Sequence, residues 1–229
     1  MRHRAHGCRR ARLAGSRGPR ALPDRPGVGA GDARVLRHWG GDQVRRYLLI
    51  RHGMTRGNRE HRYIGCRSDE PLCEEGIGAL RACAWPGADC VFASPMRRCL
   101  ETAALLYPGQ KPVVVPDLRE CDFGAFEGLN HAQLDGRADY QAFIDSGGNL
   151  PFPGGESRAS FSARCVQAFE RVVRGLPEGT YAFVVHGGTI MAIMERYARP
   201  KGGYFDFQVP NGGGYCLDET GHYTLLGSK

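Results

Sequence analysis

Apolar residues in this chain fall into short unbroken runs, separated by stretches with helical spacing. Residues 47–50, 91–93, 113–115 and 181–185 are such runs and predict strands, the first and last with the pattern of strands buried in the sheet. Between them the spacing predicts helices over 74–84, after Pro71-Leu72, and over 97–107, stopped by Pro108-Gly109. A longer helix is predicted over 156–176, where Phe161, Cys165, Phe169, Val172 and Leu176 mark one apolar face. Thr189 is placed to cap a further helix carrying Ile190, Ile193, Met194 and Tyr197. Residues 119–155 read as irregular, rich in Gly and acids, with one short helix near 131–134. The tail alternates over 204–209, 215–217 and 223–226, which predicts antiparallel edge strands. Strands alternating with helices imply an α/β domain with helices on both faces of a mostly parallel sheet. No solenoid-type repeat is visible.

Charge changes the picture at one end only. The net charge is +7, but residues 1–46 hold twelve Arg, no Lys and three Asp, so the remainder is slightly acidic. The domain expected over 46–229 therefore carries no electrostatic invitation to nucleic acid. Residues 1–45 form a basic extension rich in Arg, Gly and Pro, with too little apolar content to fold alone, and are expected to be disordered. They lack the apolar stretch of a secretory signal. No apolar run approaches the ~20 residues that span a bilayer, so a cytoplasmic location and no membrane partner are expected. The nine Cys form no C-x-x-C pair. Reduced thiols are expected, with no zinc site, no other metal and no cofactor.

One local arrangement occurs twice. The run at 47–50 ends in Arg51-His52-Gly53, and the run at 181–185 ends in His186-Gly187-Gly188. Ligands of open α/β sheets bind beyond the carboxyl ends of the strands, so neighbouring strands would bring both imidazoles to one crevice. Arg97-Arg98 follows a third strand end through Ser94-Pro95. Arginine presents a planar fork of donors suited to phosphate, and two Arg with two His make a pocket matched to a phosphoryl group.

These residues resemble the signature of the histidine phosphatase (phosphoglycerate mutase-like) superfamily. Arg51-His52-Gly53-Met54-Thr55 with Asn58 is similar to its R-H-G-x-T-x-x-N motif. Matches continue through Tyr63-Ile64-Gly65, Glu75-Gly76, Ser94-Pro95-Met96-Arg97-Arg98 and Thr102-Ala103, in the family's order. Leu118–Gly124 and Glu127-Gly128 match its acid-bearing loop, followed by Pro153–Ser157 and Val185–Gly188. The resemblance implies a three-layer α/β/α sandwich and a metal-independent phosphomonoesterase. It implies His52 as the nucleophile and Glu120 as the proton donor and later base, with Asp122 and Glu127 as rival acids on the same loop. It implies Arg51, Asn58, Arg98 and His186 as ligands of the phosphoryl oxygens, and Thr55 and Gly65 as substrate-binding positions. Met54 stands where many members carry Glu or Gln. The segment between Glu120 and His186 is short for a mutase, which favours a phosphatase of a small-molecule phosphomonoester. The acid loop and the Pro-Gly-Gly-Glu-Ser segment look most like alpha-ribazole phosphatases of cobalamin biosynthesis. A broad-specificity phosphatase, a phosphoglycerate mutase and a non-catalytic interaction module on the same fold stay open, as does a monomer or a dimer.

Overall fold

The computed structural model describes residues 44–227. The expectation of disorder over 1–45 concerns residues that, but for the last two, lie outside it. A six-stranded sheet occupies the centre, with strand order β3-β2-β4-β1-β5-β6. Strands β1 (Arg45–Arg51), β2 (Cys90–Ala93), β3 (Val113–Val114) and β4 (Gly179–Val185) are parallel. Strands β5 (Gly214–Asp218) and β6 (Tyr223–Leu226) form an antiparallel hairpin alongside β1.

The continuous apolar runs are explained by burial on both faces. On β1, Tyr47 and Leu49 enter one core, and Leu48 and Ile50 enter the other. The first core lies under α6 (Arg158–Val173) and α7 (Gly187–Tyr197), where Phe183 packs between Phe92 and Phe169 with ring centroids 5.0 and 5.1 Å away. The second lies under α3 (Arg97–Leu106), which supplies Cys99 and Ala103 and which α2 (Glu74–Ala82) packs against. Helices thus cover both faces, giving the expected three layers. A smaller cluster of Phe126, Leu134, Tyr140 and Phe143 builds a cap from α4 (His131–Leu134) and α5 (Ala138–Asp145).

Several expectations need correction. Residues 204–207 form a 3-10 turn, not a strand. Tyr204 and Phe207 lie three apart and are both buried, and the Asp206 carboxylate accepts the Gly203 N–H at 2.8 Å. Strand β5 is internal, so of the two strands in the tail β6 alone is an edge; β3, half exposed, is the edge on the other side. Thr189 does not cap α7. The helix begins at Gly187 after His186, and Thr189 sits buried in its first turn, accepting a weak bond from the Cys165 thiol. Helix α5 lies inside the stretch read as irregular. Its eight residues are too few to show more than two buried positions, Tyr140 and Phe143.

Candidate active site

Register places the chemistry. Arg51 pairs with Val185 across β1 and β4, and Ala93 pairs with Val184 across β2 and β4. The next residues, His52, His186 and Ser94, therefore emerge together at the carboxyl edge of three adjacent strands. The His52 N–H donates to the Val185 carbonyl at 2.9 Å, and the Ser94 N–H to Val184 at 3.1 Å, which locks these ends together. The two imidazole centroids are 5.2 Å apart.

Both rings are buried, but their nitrogens are committed differently. His52 Nδ1 donates to the Gly53 carbonyl at 2.7 Å, because a carbonyl can only accept. Its proton is thereby fixed on Nδ1, and Nε2 keeps a lone pair. Burial, with Arg98 and Arg51 nearby, holds the His52 pKa well below its ordinary value, so the ring is neutral. His186 Nε2 lies 2.7 Å from the Ser94 hydroxyl. That oxygen also accepts the Met96 N–H at 3.4 Å, and its own proton can be given to Nε2. Nδ1 of His186 lies 4.0 Å from Glu120 Oε2 and 3.8 Å from the Cys99 sulfur, and carries the hydrogen when Ser94 donates. Burial also pushes the His186 pKa well down.

Glu120 is buried, and burial raises its pKa. Its Oε1 accepts the Cys121 N–H at 2.9 Å. With both groups driven toward neutrality, the Glu120–His186 contact is polar and not an ion pair. Gly188 is required here: a Cβ at that position would stand 2.9 Å from Glu120 Oε1 and 2.8 Å from the Phe161 ring. The rival acids are engaged elsewhere. Asp122, whose partial burial acts to raise its pKa, is nevertheless held below its ordinary value by the Arg67 pair at 2.7 Å. Glu127 Oε1 accepts the Gly65 N–H at 2.8 Å. Of the three carboxylates, only Glu120 lines the cavity.

The two guanidiniums are held by backbone carbonyls. Arg98, fully buried, donates to Ser68 at 2.8 Å and Gly65 at 3.0 Å, and Arg51 donates to Val209 at 2.7 Å. The Nε–H of each is buried with no protein partner. A buried unpaired donor costs about 1–3 kcal/mol, and two such charged donors beside a neutral imidazole mark a place built for an anion. Asn58 Oδ1 accepts from Thr55 N–H and from Asn211 Nδ2, at 3.2 and 3.1 Å. Its carbonyl end is thereby occupied, so the amide NH2 is the end turned to other partners.

The structure thus brings together Arg51, His52, Asn58, Arg98, Glu120 and His186. It places Thr55 and Gly65 differently. Thr55 is buried and caps α1 (Arg56–Arg59), its Oγ1 accepting the Asn58 N–H. Gly65 offers its carbonyl to Arg98, and a Cβ on it would meet the Cys121 carbonyl at 2.3 Å. Neither lines the cavity, and neither do the fully buried Arg98 and His186; what sets Thr55 and Gly65 apart is that their polar groups are spent on holding Asn58 and Arg98. Sequence reasoning missed the work of Ser94, Asn211 and the Val209 carbonyl, although Asn211-Gly212-Gly213, as a turn sequence after an apolar stretch, was a signal of a loop near a ligand. Among the described residues no group of three or more His, Cys, Asp or Glu is arranged to hold a metal ion. No described helix is long and apolar enough to cross a membrane.

A cavity of about 570 Å³ opens above this floor, lined at its base by Arg51, His52, Asn58 and Glu120. The arrangement supplies a neutral nucleophilic nitrogen, fixed cations and a buried carboxyl group whose pKa burial raises, a combination fitted to phosphoryl transfer.

Comparison with known proteins agrees. The family model of the histidine phosphatase superfamily (branch 1) matches residues 47–226. A bifunctional protein of Mycobacterium tuberculosis is 33% identical over 166 residues, which cover 69% of this chain and 45% of that protein. The chain thus spans less than half the length of that relative. A metal-independent phosphoserine phosphatase of Arabidopsis thaliana is 30% identical over 168 residues, covering 67% of this chain and 69% of that one. Among solved structures, the alpha-ribazole phosphatase from Shigella flexneri superposes with a TM-score of 0.69 at 25% identity, covering 79% of this chain and 94% of that one.

Proposed function

The chain belongs to the histidine phosphatase superfamily, and from that premise we propose that it hydrolyses small phosphomonoesters through a phosphohistidine formed on His52, without a metal ion. The observation that carries this reading is the His52 ring itself, buried, neutral, tied by Nδ1 to Gly53, and standing between two arginines with unpartnered Nε–H groups.

His52 Nε2 attacks phosphorus in line with the ester oxygen. The P–N bond forms as the P–O bond breaks. Charge gathering on the phosphoryl oxygens is met by Arg51, Arg98, Asn58 and the Nδ1–H of His186, donors fixed in place before the reaction starts. The departing alkoxide takes the proton of Glu120, whose carboxyl pKa burial raises above its ordinary value. Glu120, now a carboxylate, removes a proton from water, whose oxygen attacks the phosphohistidine. The P–N bond breaks, inorganic phosphate leaves, and both residues return to their starting states. Thr55 and Gly65 act by holding Asn58 and Arg98 and not by touching substrate.

The specific substrate we assign is alpha-ribazole 5′-phosphate. The resemblance of the acid loop and of residues 153–157 to alpha-ribazole phosphatases, and the likeness to the Shigella flexneri enzyme, support it. The test is release of inorganic phosphate from alpha-ribazole 5′-phosphate, phosphoserine and 3-phosphoglycerate, with EDTA present, for the wild type and His52→Ala. Release by the wild type alone, fastest from alpha-ribazole 5′-phosphate, is the expected result. Equal rates across the esters would reject that substrate and keep the chemistry. Release that persists in His52→Ala would reject the chemistry.

A further inference from the structure

Phosphate needs only the floor of the cavity, and the rest of its volume has a different lining. One wall is a nest of rings, Tyr63, Phe123, Phe143 and Phe152, with Phe152 4.9 Å from Phe123 and 4.6 Å from Phe143, centroid to centroid. A second part of the lining is Tyr204 and Phe205, edge to face at 5.1 Å. Within the lining, Ile144, next to Phe143, is 49% exposed and Phe205 is 59% exposed. Large apolar side chains held open to solvent while lining one cavity are the mark of a binding surface.

Of the two cations at this end, Arg62 is held by an acid and Arg158 by two rings and a neutral amide. Arg62 gives Nε to Glu60 and Nη1 to the Gly128 carbonyl and Gln133. Arg158 lies over the rings of Tyr204 and Phe205, 5.6 and 5.8 Å from their centroids, and donates to Asn149 Oδ1 at 2.7 Å. Asn149 belongs to the turn that follows α5, the element carrying Phe143 and Ile144. Arg158 therefore ties one wall to the other. A guanidinium spread over two rings is a spacer of fixed width.

We propose that this end of the cavity is a clamp for a flat, apolar leaving group, with Phe205 and Ile144 as its specificity-determining residues and Arg158 as the residue that positions the two walls. The enzyme's substrates are then phosphomonoesters whose alcohol carries an aromatic or heteroaromatic ring, in preference to those whose alcohol carries a second anion. The inference rests on the His52 chemistry above and assigns the alcohol that it releases.

The test compares naphthylethyl phosphate with ethyl phosphate. The two have the same chemistry at the reacting oxygen, so their ratio of kcat/KM reports the clamp alone. The wild type is expected to favour the naphthyl ester by well over tenfold, and to prefer it to 3-phosphoglycerate. Phe205→Ser, at an exposed position that leaves the core intact, should cut the preference by about tenfold, the size of one lost aromatic contact, through KM and not kcat. Arg158→Gln should cut it in the same direction. Equal rates for the two esters, or a Phe205→Ser effect shared equally by both, would overturn the clamp. If no ester is hydrolysed, calorimetric titration with naphthylethyl phosphonate separates the two readings. Binding that weakens about tenfold in Phe205→Ser upholds the clamp while the hydrolytic reading fails, and absence of binding overturns the clamp as well.

Discussion

The carboxyl ends of β1 and β4 carry nearly the same sequence, an apolar strand running into His and then Gly, yet they make two different chemical groups. At the end of β1, His52 turns Nδ1 onto the carbonyl of the very next residue, so its free atom is Nε2. At the end of β4, His186 has Nε2 against Ser94 from the neighbouring strand, so Nδ1 is the atom that faces Glu120, with the Cys99 sulfur 3.8 Å away. One ring is left with a lone pair and the other with a hydrogen. The strand delivers an imidazole to the crevice, and on the proposed mechanism the hydrogen-bond partner decides whether it attacks or donates.

On the proposed mechanism the largest expected effect falls on His52. His52→Ala should abolish phosphate release and leave no acid-labile phosphoenzyme when the protein is quenched in alkali during turnover. Glu120→Gln should come next, with kcat down by about 10²–10⁴ for alkyl esters. The loss should be far smaller for 4-nitrophenyl phosphate, whose leaving group needs no proton. The pH profile sharpens this. His52 must be neutral, so activity falls as pH drops through its depressed pKa, well below 6.5. Glu120 must be protonated, so activity falls again as pH rises through its raised pKa. Glu120→Gln, which cannot ionise, should lose the alkaline limb and keep the acidic one. His186→Ala removes a donor to the phosphoryl oxygens and should cost about 10²–10³ in kcat. Phosphoenzyme should still form, which separates it from His52→Ala.

The fold and the centre of this site were largely legible in the sequence, for a physical reason. Residues 47–50 and 181–185 are apolar without interruption because the strands are buried on both faces, and a polar His-Gly at the end of such a run stands out. Arg98 was legible through its place after the third strand end. The partners that tune these groups were not. Ser94 lies 92 residues from His186, and Asn211 lies 153 residues from the Asn58 side chain it holds. Such contacts leave no periodic trace. The 3-10 turn at 204–207 was misread because Phe205, Phe207 and Val209 alternate with Asp206 and Gln208 in the sequence, although Phe205 is exposed in the fold. The aromatic wall was hidden because α5 is too short to show a helical period.

The smallest effect tests the comparison most directly, since it changes a partner and leaves both imidazoles in place. Ser94→Ala removes the hydroxyl that occupies His186 Nε2 and that accepts the Met96 N–H. The side chain is fully buried, so no water replaces it without rearrangement. Loss of one buried hydrogen bond is worth about 1 kcal/mol, and kcat should fall by about fivefold to tenfold, with KM for the ester little changed. Without Ser94 the proton of His186 is no longer assigned to Nδ1, and a fraction of molecules presents a lone pair where the phosphoryl oxygens need a donor. Ser94→Thr, which keeps the hydroxyl, should restore most of the rate if the pocket admits the extra methyl. Nitrogen NMR of the His186 ring reads the tautomer itself. A rate loss in Ser94→Ala with the Nδ1–H form unchanged would show that Ser94 acts by packing alone, and the contrast between the two strand ends would then need another cause.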